Sequence, residues 1–270
     1  MSRERISAGR LAALREQLAT ADQDILATLG AVRLASGGQL RRHHLWHVSE
    51  RTGRRTLAQL EGLGLVRHLE RRLGGIRSGS DGLLYQLSAA GVRLAHPGIR
   101  ARTPWPISPR FQRHLLAVTE LVVSLGEGAR AGHFLIHTLT VEQASYRHFS
   151  GPYGERITLK PDLYVCLHAA GFFAVSFVEV DLASESPATI RAKAAVYIAY
   201  YATGQEQTRH DGVFPRVVFL VPDEARREEV TEALDELRPE HRRLFAVHLL
   251  AEATRVLAPN DEAADAGSGA

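Results

Sequence analysis

The chain has 270 residues, 45% of them apolar and 23% charged, which suits a soluble globular protein of two domains or one large one. No apolar run, Gly171–Val180 among the longest, is long enough to span a membrane, no signal-peptide core opens the chain, and the one cysteine, Cys166, cannot form an internal disulfide. A cytoplasmic protein is expected, with no membrane partner.

The net charge of +3 hides an asymmetry: residues 1–110 carry 18 Arg against 8 acids, whereas residues 111–270 carry 15 basic residues against 22 acids. A basic half joined to an acidic half predicts two domains with different tasks, and the basic one carries the electrostatic footprint of a polyanion partner. Only Lys160 and Lys193 are lysines. Both draw notice, because Arg cannot replace a compact ammonium.

In chain order, residues 1–20 read as a polar helix with a weak apolar stripe (Leu11, Leu14, Leu18). Asp22 is placed to cap a second helix with Ile25, Leu26, Leu29 and Val32 on one face, broken by Gly37-Gly38. A short helix follows at Gln39–His47, then one from about Thr52 to Leu63 with Leu57 and Leu60 inward, ended by Gly62 and Gly64. Gly53 is expected to mark the start of that helix, with Thr52 as its cap. The period then changes, and Val66–Leu73 and Leu83–Leu87 read as strands joined by a Gly-rich basic loop. Ser88 caps a further short helix. Three helices, a strand, a wing and a strand are the winged-helix order, predicted for residues 21–96.

Such a module docks its third helix in the major groove. Arg51, Thr52, Arg54 and Arg55 stand at the front of that helix, off the Leu57/Leu60 face. Arg41 and Arg42 lie on the helix before it, and Arg71, Arg72 and Arg77 flank the wing. Guanidinium groups pair with guanine or neutralise phosphate, so double-stranded DNA is the expected partner. The bland alternatives are an Arg-rich solvated surface or a winged helix that binds protein. His43 and His47 are four apart and could share an ion, but no Cys or carboxylate accompanies them, so ordinary surface histidines are the preferred reading.

Pro97, Pro104, Pro106 and Pro109 mark a linker over 97–109. Beyond it, residues 110–256 alternate: a helix at about 109–125, strands at 133–141, 163–168 and 172–181, a helix over Ser186–Ala202, a buried strand Val217–Val221, an acidic helix Asp223–Leu237 and a strand Leu244–Leu250. That is an α/β domain on a mixed sheet. Residues 257–270 read as a disordered tail.

The turn His168–Gly171 folds one strand back on another. A two- or four-residue loop centred on Ala169 and Ala170 sets Asp162 opposite Phe177, so that Asp162, Phe177, Glu179 and Asp181 share a face and Glu179 is a diagonal neighbour of Asp162; a three-residue loop would move Asp162 to the other face. Clustered carboxylates of this kind suit Mg²⁺, with Asp162, Glu179 and Asp181 as ligands. Lys193, on the following helix, is placed to orient or deprotonate a water, with Tyr197 and Tyr200 along its face. Against this stands the plain reading of acids at strand ends as surface features.

Two stretches together, "LAQLEGLGLVRHLERR…GLLYQLSAAGVRLA" and "LKPDLYVCL…FFAVSFVEVDLASESPATIRAKAAVYIAYY", the latter followed by "FPRVVFLVP", resemble the replication-relaxation family of plasmids and mobile elements in Gram-positive, especially actinobacterial, hosts. The resemblance spans roughly residues 20–250. It implies a winged helix followed by a restriction-endonuclease-like domain of the PD-(D/E)xK pattern, with Asp162, Glu179 and Lys193 as catalytic residues. The sequence departs from that pattern where Asp181 stands in place of the expected lysine, so that Lys193 would be a migrated one. Glu142 and Glu120 are further candidate acids. The expected function is DNA binding in replication, relaxation or transfer. The alternatives are an active Mg²⁺-dependent endonuclease, or a transcriptional regulator whose second domain serves to form a homodimer.

Overall fold

The computed structural model describes residues 7–69, 82–97 and 107–259. Arg71, Arg72, Arg77, most of the wing loop, most of the proline-rich linker and the tail beyond Pro259 lie outside the described residues. The chain divides into two compact units, Met1–Val123 and Ser124–Ala270.

The first unit runs α1 (Ala8–Gln17), α2 (Thr20–Val32), β1 (Ala35–Ser36), α3 (Gly37–His44), α4 (Glu50–Gly62), β2 (Val66–Leu69), β3 (Leu84–Leu87), α5 (Ala89–Ala95) and the first part of α6 (Pro109–Arg130). Ile25, Leu26, Leu29 and Val32 of α2 and Leu57 and Leu60 of α4 are buried, as their 3.6-residue spacing requires. Each such leucine or isoleucine contributes roughly 1.5–3 kcal/mol by leaving water. Helix α4 closes with a paired C-terminal motif: Leu65 N–H donates to the Leu60 carbonyl at 3.1 Å and Gly64 N–H to Glu61 at 2.8 Å. That geometry needs a left-handed residue, and Gly64 supplies it at φ +70°. The three strands form one antiparallel sheet in the order β1-β3-β2. Strand β1 escapes sequence reading because two residues carry no period.

Three local expectations are corrected. Asp22 sits inside the first turn of α2, not before it, and its carboxylate reaches back 3.3 Å to the Ala19 N–H. Gly37 and Gly38 do not break a helix but form the first turn of α3, because Ser36 and Gln39 cap it reciprocally at 3.1 and 2.9 Å. Helix α4 starts at Glu50, not near Thr52. Its cap is Ser49, whose hydroxyl accepts from the Thr52 N–H at 3.2 Å, and Gly53 is a buried interior residue. A Cβ at Gly53 would stand 3.1 Å from Arg41 Cδ, so the glycine serves close approach of α3 and α4.

The second unit continues through the end of α6 into β4 (Leu135–Val141), a 3₁₀ turn at Glu142–Ala144, β5 (Arg147–Ser150), β6 (Arg156–Leu159), β7 (Leu163–Ala169), β8 (Phe172–Val180), α7 (Pro187–Tyr201), α8 (Gln205–Arg209), β9 (Arg216–Val221), α9 (Glu224–Asp235), α10 (Pro239–Arg242), β10 (Phe245–Leu249) and α11 (Ala253–Leu257). Five strands form a mixed sheet in the order β10-β9-β8-β7-β4. Strands β4, β7 and β8 pair antiparallel, whereas β8–β9 and β9–β10 are parallel. Parallel neighbours need long crossovers, and α7 and α9 lie in them, packed against each other. The hairpin β5–β6 was not foreseen, because its mostly polar residues show no clean alternation.

Strands β7 and β8 turn through Ala170 (φ +50°) and Gly171 (φ +82°), one residue later than the sequence suggested. A tight right-twisted hairpin needs positive φ at both central residues, and Gly171 is the residue made for it. The register moves by two. Leu163 pairs with Val178 at the end of the ladder, and Asp162 stands just before it, its N–H donating to the Val178 carbonyl at 3.1 Å. An even shift preserves the face, and Phe177, tilted against Tyr164 at 5.4 Å, lies on the side that meets Tyr197 of α7.

Candidate functional site

In the first unit, α4 brings the predicted arginines to one exposed end. Ser49 caps the helix, which orients its first turn, and Leu57 and Leu60 anchor the opposite face. Arg51 and Arg55 are exposed, one helical turn apart, and have no ion-pair partner among the described residues. The others differ. Arg54 donates to Glu50 at 2.6 Å, and Arg41 lies 3.5 Å from the same carboxylate. Arg42 meets Glu120 at 2.5 Å, and Gln39 donates 3.0 Å to the other oxygen of that carboxylate. Glu120 is therefore bound to basic and amide groups of its own unit and is no extra acid for a metal. Thr52 is exposed, and its hydroxyl meets Ser49 at 2.9 Å. Trp46, in the turn before α4, is 64% exposed with its ring edge on His47. No sequence pattern flagged that tryptophan. Only its placement beside the arginines makes it notable.

In the second unit, the strand pairing and α7 bring Asp162, Glu179 and Lys193 together. Asp162 Oδ2 accepts the Val180 N–H at 2.7 Å, which ties the start of β7 to the end of β8. Glu179 is buried. Its two oxygens accept from Lys193 Nζ at 2.9 Å and from the Tyr197 hydroxyl at 2.7 Å. Lys193 also bridges to Glu185 at 2.9 Å. Residues 193 and 197, four apart on α7, point the same way, which is what the helical period dictates.

Burial, opposed by Lys193 and assisted by Asp162, leaves the Glu179 carboxyl raised to about 7. Burial works against the Lys193 charge, yet Glu179 and Glu185 together hold the ammonium above its ordinary value. The two shifts pull in opposite senses. Contacts of 2.9 and 2.7 Å to charge-stabilising donors decide for an ionised pair above pH 7. Tyr197, buried against that carboxylate, is raised well above an ordinary phenol. It is a fixed donor, not an acid at neutral pH.

Asp181 does not join this cluster. It is buried against Arg226 of α9, which donates to it from two nitrogens, and it accepts the Ser184 N–H at 3.1 Å. Arg226 further donates 2.6 Å to the Glu185 carbonyl. The three carboxylates expected to hold Mg²⁺ are thus committed elsewhere: Glu179 to Lys193 and Tyr197, Asp181 to Arg226, Asp162 to a backbone N–H. Among the described residues no group of three His, Cys, Asp or Glu is arranged to hold a metal, the His43/His47 pair included. As arranged, these residues do not fit an oxygen-ligated divalent cation. Glu142, beside Asp162 through a 3.0 Å backbone hydrogen bond, adds no fourth arm.

A further buried carboxylate was missed altogether. Glu206 accepts from Tyr200 at 2.8 Å, from Arg209 at 2.9 Å and from Arg147. Arg147 also covers the Tyr164 ring at 4.7 Å. Burial opposes the Glu206 charge, but the two arginines and the phenol carry its carboxyl below the ordinary range. Sequence offered no signal here, since Arg147 and Glu206 meet only through the fold.

A small basic helical unit with arginines at one helix start, and an α/β unit with a buried carboxylate–lysine cluster, define a two-part protein. The chain belongs to the Replication-relaxation family, whose profile matches residues 26–217 and so reaches into both units. Comparison with curated proteins and with solved structures returns no match. No helix among the described residues is long and apolar enough to cross a membrane.

Proposed function

We propose that this protein binds double-stranded DNA through its first unit and acts in replication, relaxation or transfer of a plasmid or mobile element. The observation that carries this reading is the pair Arg51 and Arg55, exposed and without ion-pair partners among the described residues at the start of α4. The element order α2, α3, α4, β2, β3, with β1 completing the sheet, supports a winged helix whose α4 enters the major groove. Family membership supports the biological setting. The test is a duplex-binding isotherm at several salt concentrations. Binding that weakens linearly in log–log form with salt is expected, whereas failure to bind any duplex at low salt counts against the reading.

The second unit, in this reading, is a nuclease-like scaffold whose acids are spent on internal partners. Lys193 standing on Glu179 is the observation that favours the rival, an active endonuclease. Incubating supercoiled plasmid with the full chain and Mg²⁺ or Mn²⁺ separates the two. We expect no nicking. Nicking that disappears in Asp162→Ala would establish the rival.

A further inference from the structure

Glu50 is out of place on a surface that grips phosphate. It stands in the first turn of α4, is 65% exposed, and would repel a polyanion docked there. Capping does not require it, because Ser49 already accepts the Thr52 N–H. Its carboxylate holds Arg54 from one turn on at 2.6 Å and Arg41 from α3 at 3.5 Å. Exposed ion pairs are worth only about 0–1 kcal/mol, so the half-exposed Arg54 is readily traded to a better acceptor.

We propose that Glu50 is an internal competitor for DNA. It rests on the DNA-binding reading above and names what regulates that surface. Arg51 and Arg55 make the first, indiscriminate contacts. Arg54 stays on Glu50 until a duplex presents phosphates or a guanine edge in a geometry that takes it. Glu50 thereby lowers affinity for random duplex more than for the target, and sets the ratio between them.

The test uses the full chain and a labelled random-sequence duplex, with anisotropy read across a salt series. Glu50→Gln should bind about tenfold more tightly near 0.1 M salt, with a log–log slope steeper by about one. Glu224→Gln, which removes an exposed carboxylate from the other unit, should leave both unchanged and controls for net charge. Arg54→Ala should cost more affinity in the Glu50→Gln background than in the wild type. Thermal melts establish that the variants are folded; Ser49 keeps the cap in each. A folded Glu50→Gln protein that binds no tighter, or gains only what Glu224→Gln gains, overturns the proposal while DNA binding stands. A wild-type protein that binds no duplex at low salt overturns the DNA-binding reading, and this one with it.

Discussion

The two units use the same chemistry, carboxylate against cation, in opposite ways. Around α4 the pairs of Glu50 with Arg41 and Arg54, and of Glu120 with Arg42, are solvated or partly so. Around α7 the pairs Glu179–Lys193 and Asp181–Arg226 have their acids buried to within a few per cent. Water makes the first set cheap to rearrange, and its absence makes the second set expensive to disturb. Exposed pairs suit a surface that must exchange partners; buried ones suit a scaffold that must not move. The contrast also bears on the acid cluster that reads as a metal site in sequence: Glu179 and Asp181 already have cationic partners, and Asp162 holds a backbone N–H.

The sharpest break of that contrast is Arg226→Ala. It leaves Asp181 buried beside nothing of opposite charge, and should cost about 3–5 kcal/mol, read from the denaturant midpoint. A loss below about 1 kcal/mol would show that Asp181 is as solvated as the acids at α4.

Next comes the pH response of Glu179. Its folded carboxyl is raised toward 7, above the unfolded value, so the folded state binds the proton more tightly. Stability contributed by this group is therefore full below about pH 4.5 and declines as pH climbs toward 7, by about 1–3 kcal/mol. Comparing wild type with Glu179→Gln across that window should show the difference shrinking with rising pH. A difference that grows instead would mean Lys193 controls the group at every pH. Glu206, held low by its arginines, should behave in the opposite sense and lose its contribution only in acid.

On the exposed side, Arg51→Ala with Arg55→Ala should weaken duplex binding roughly fiftyfold near 0.1 M salt and flatten the salt slope by about two, with no matching change in melting temperature. An unchanged slope would place the DNA contact elsewhere. The smallest effect is expected of Gly53→Ala. Helix propensity gains about 1 kcal/mol, and crowding of the Cβ against the Arg41 stem at 3.1 Å offsets it, so a net change under about 1 kcal/mol should appear in a thermal melt. A clear loss would mean α3 and α4 cannot yield there.

Sequence reading did best where a period was long and one-sided. The buried faces of α2 and α4, the cap at Ser88 and the shared face of Phe177 and Glu179 all followed from spacing. It erred where two local rules competed. Gly37-Gly38 looked like a breaker until the reciprocal cap from Ser36 and Gln39 outweighed glycine's cost. Gly53 looked like a helix start until close packing against Arg41 gave it another reason to be there. The hairpin register slipped by two because the turn falls at Ala170-Gly171, where both residues take positive φ, and spacing does not locate it.

Composition and periodicity by themselves fixed a basic half and an acidic half, the helices with their buried stripes, the mixed α/β character of the second half, and the strand face that carries Asp162 and Glu179. These follow from short-range rules, which act within a turn or a pair of strands. Only the tertiary structure decided which charges are spent. Arg54 with Glu50 is a local pairing, but Arg42 with Glu120, Arg226 with Asp181 and Arg147 with Glu206 join residues from 45 to 78 positions apart. An ion pair depends on distance in space and on the water around it, and neither is written in the order of the residues.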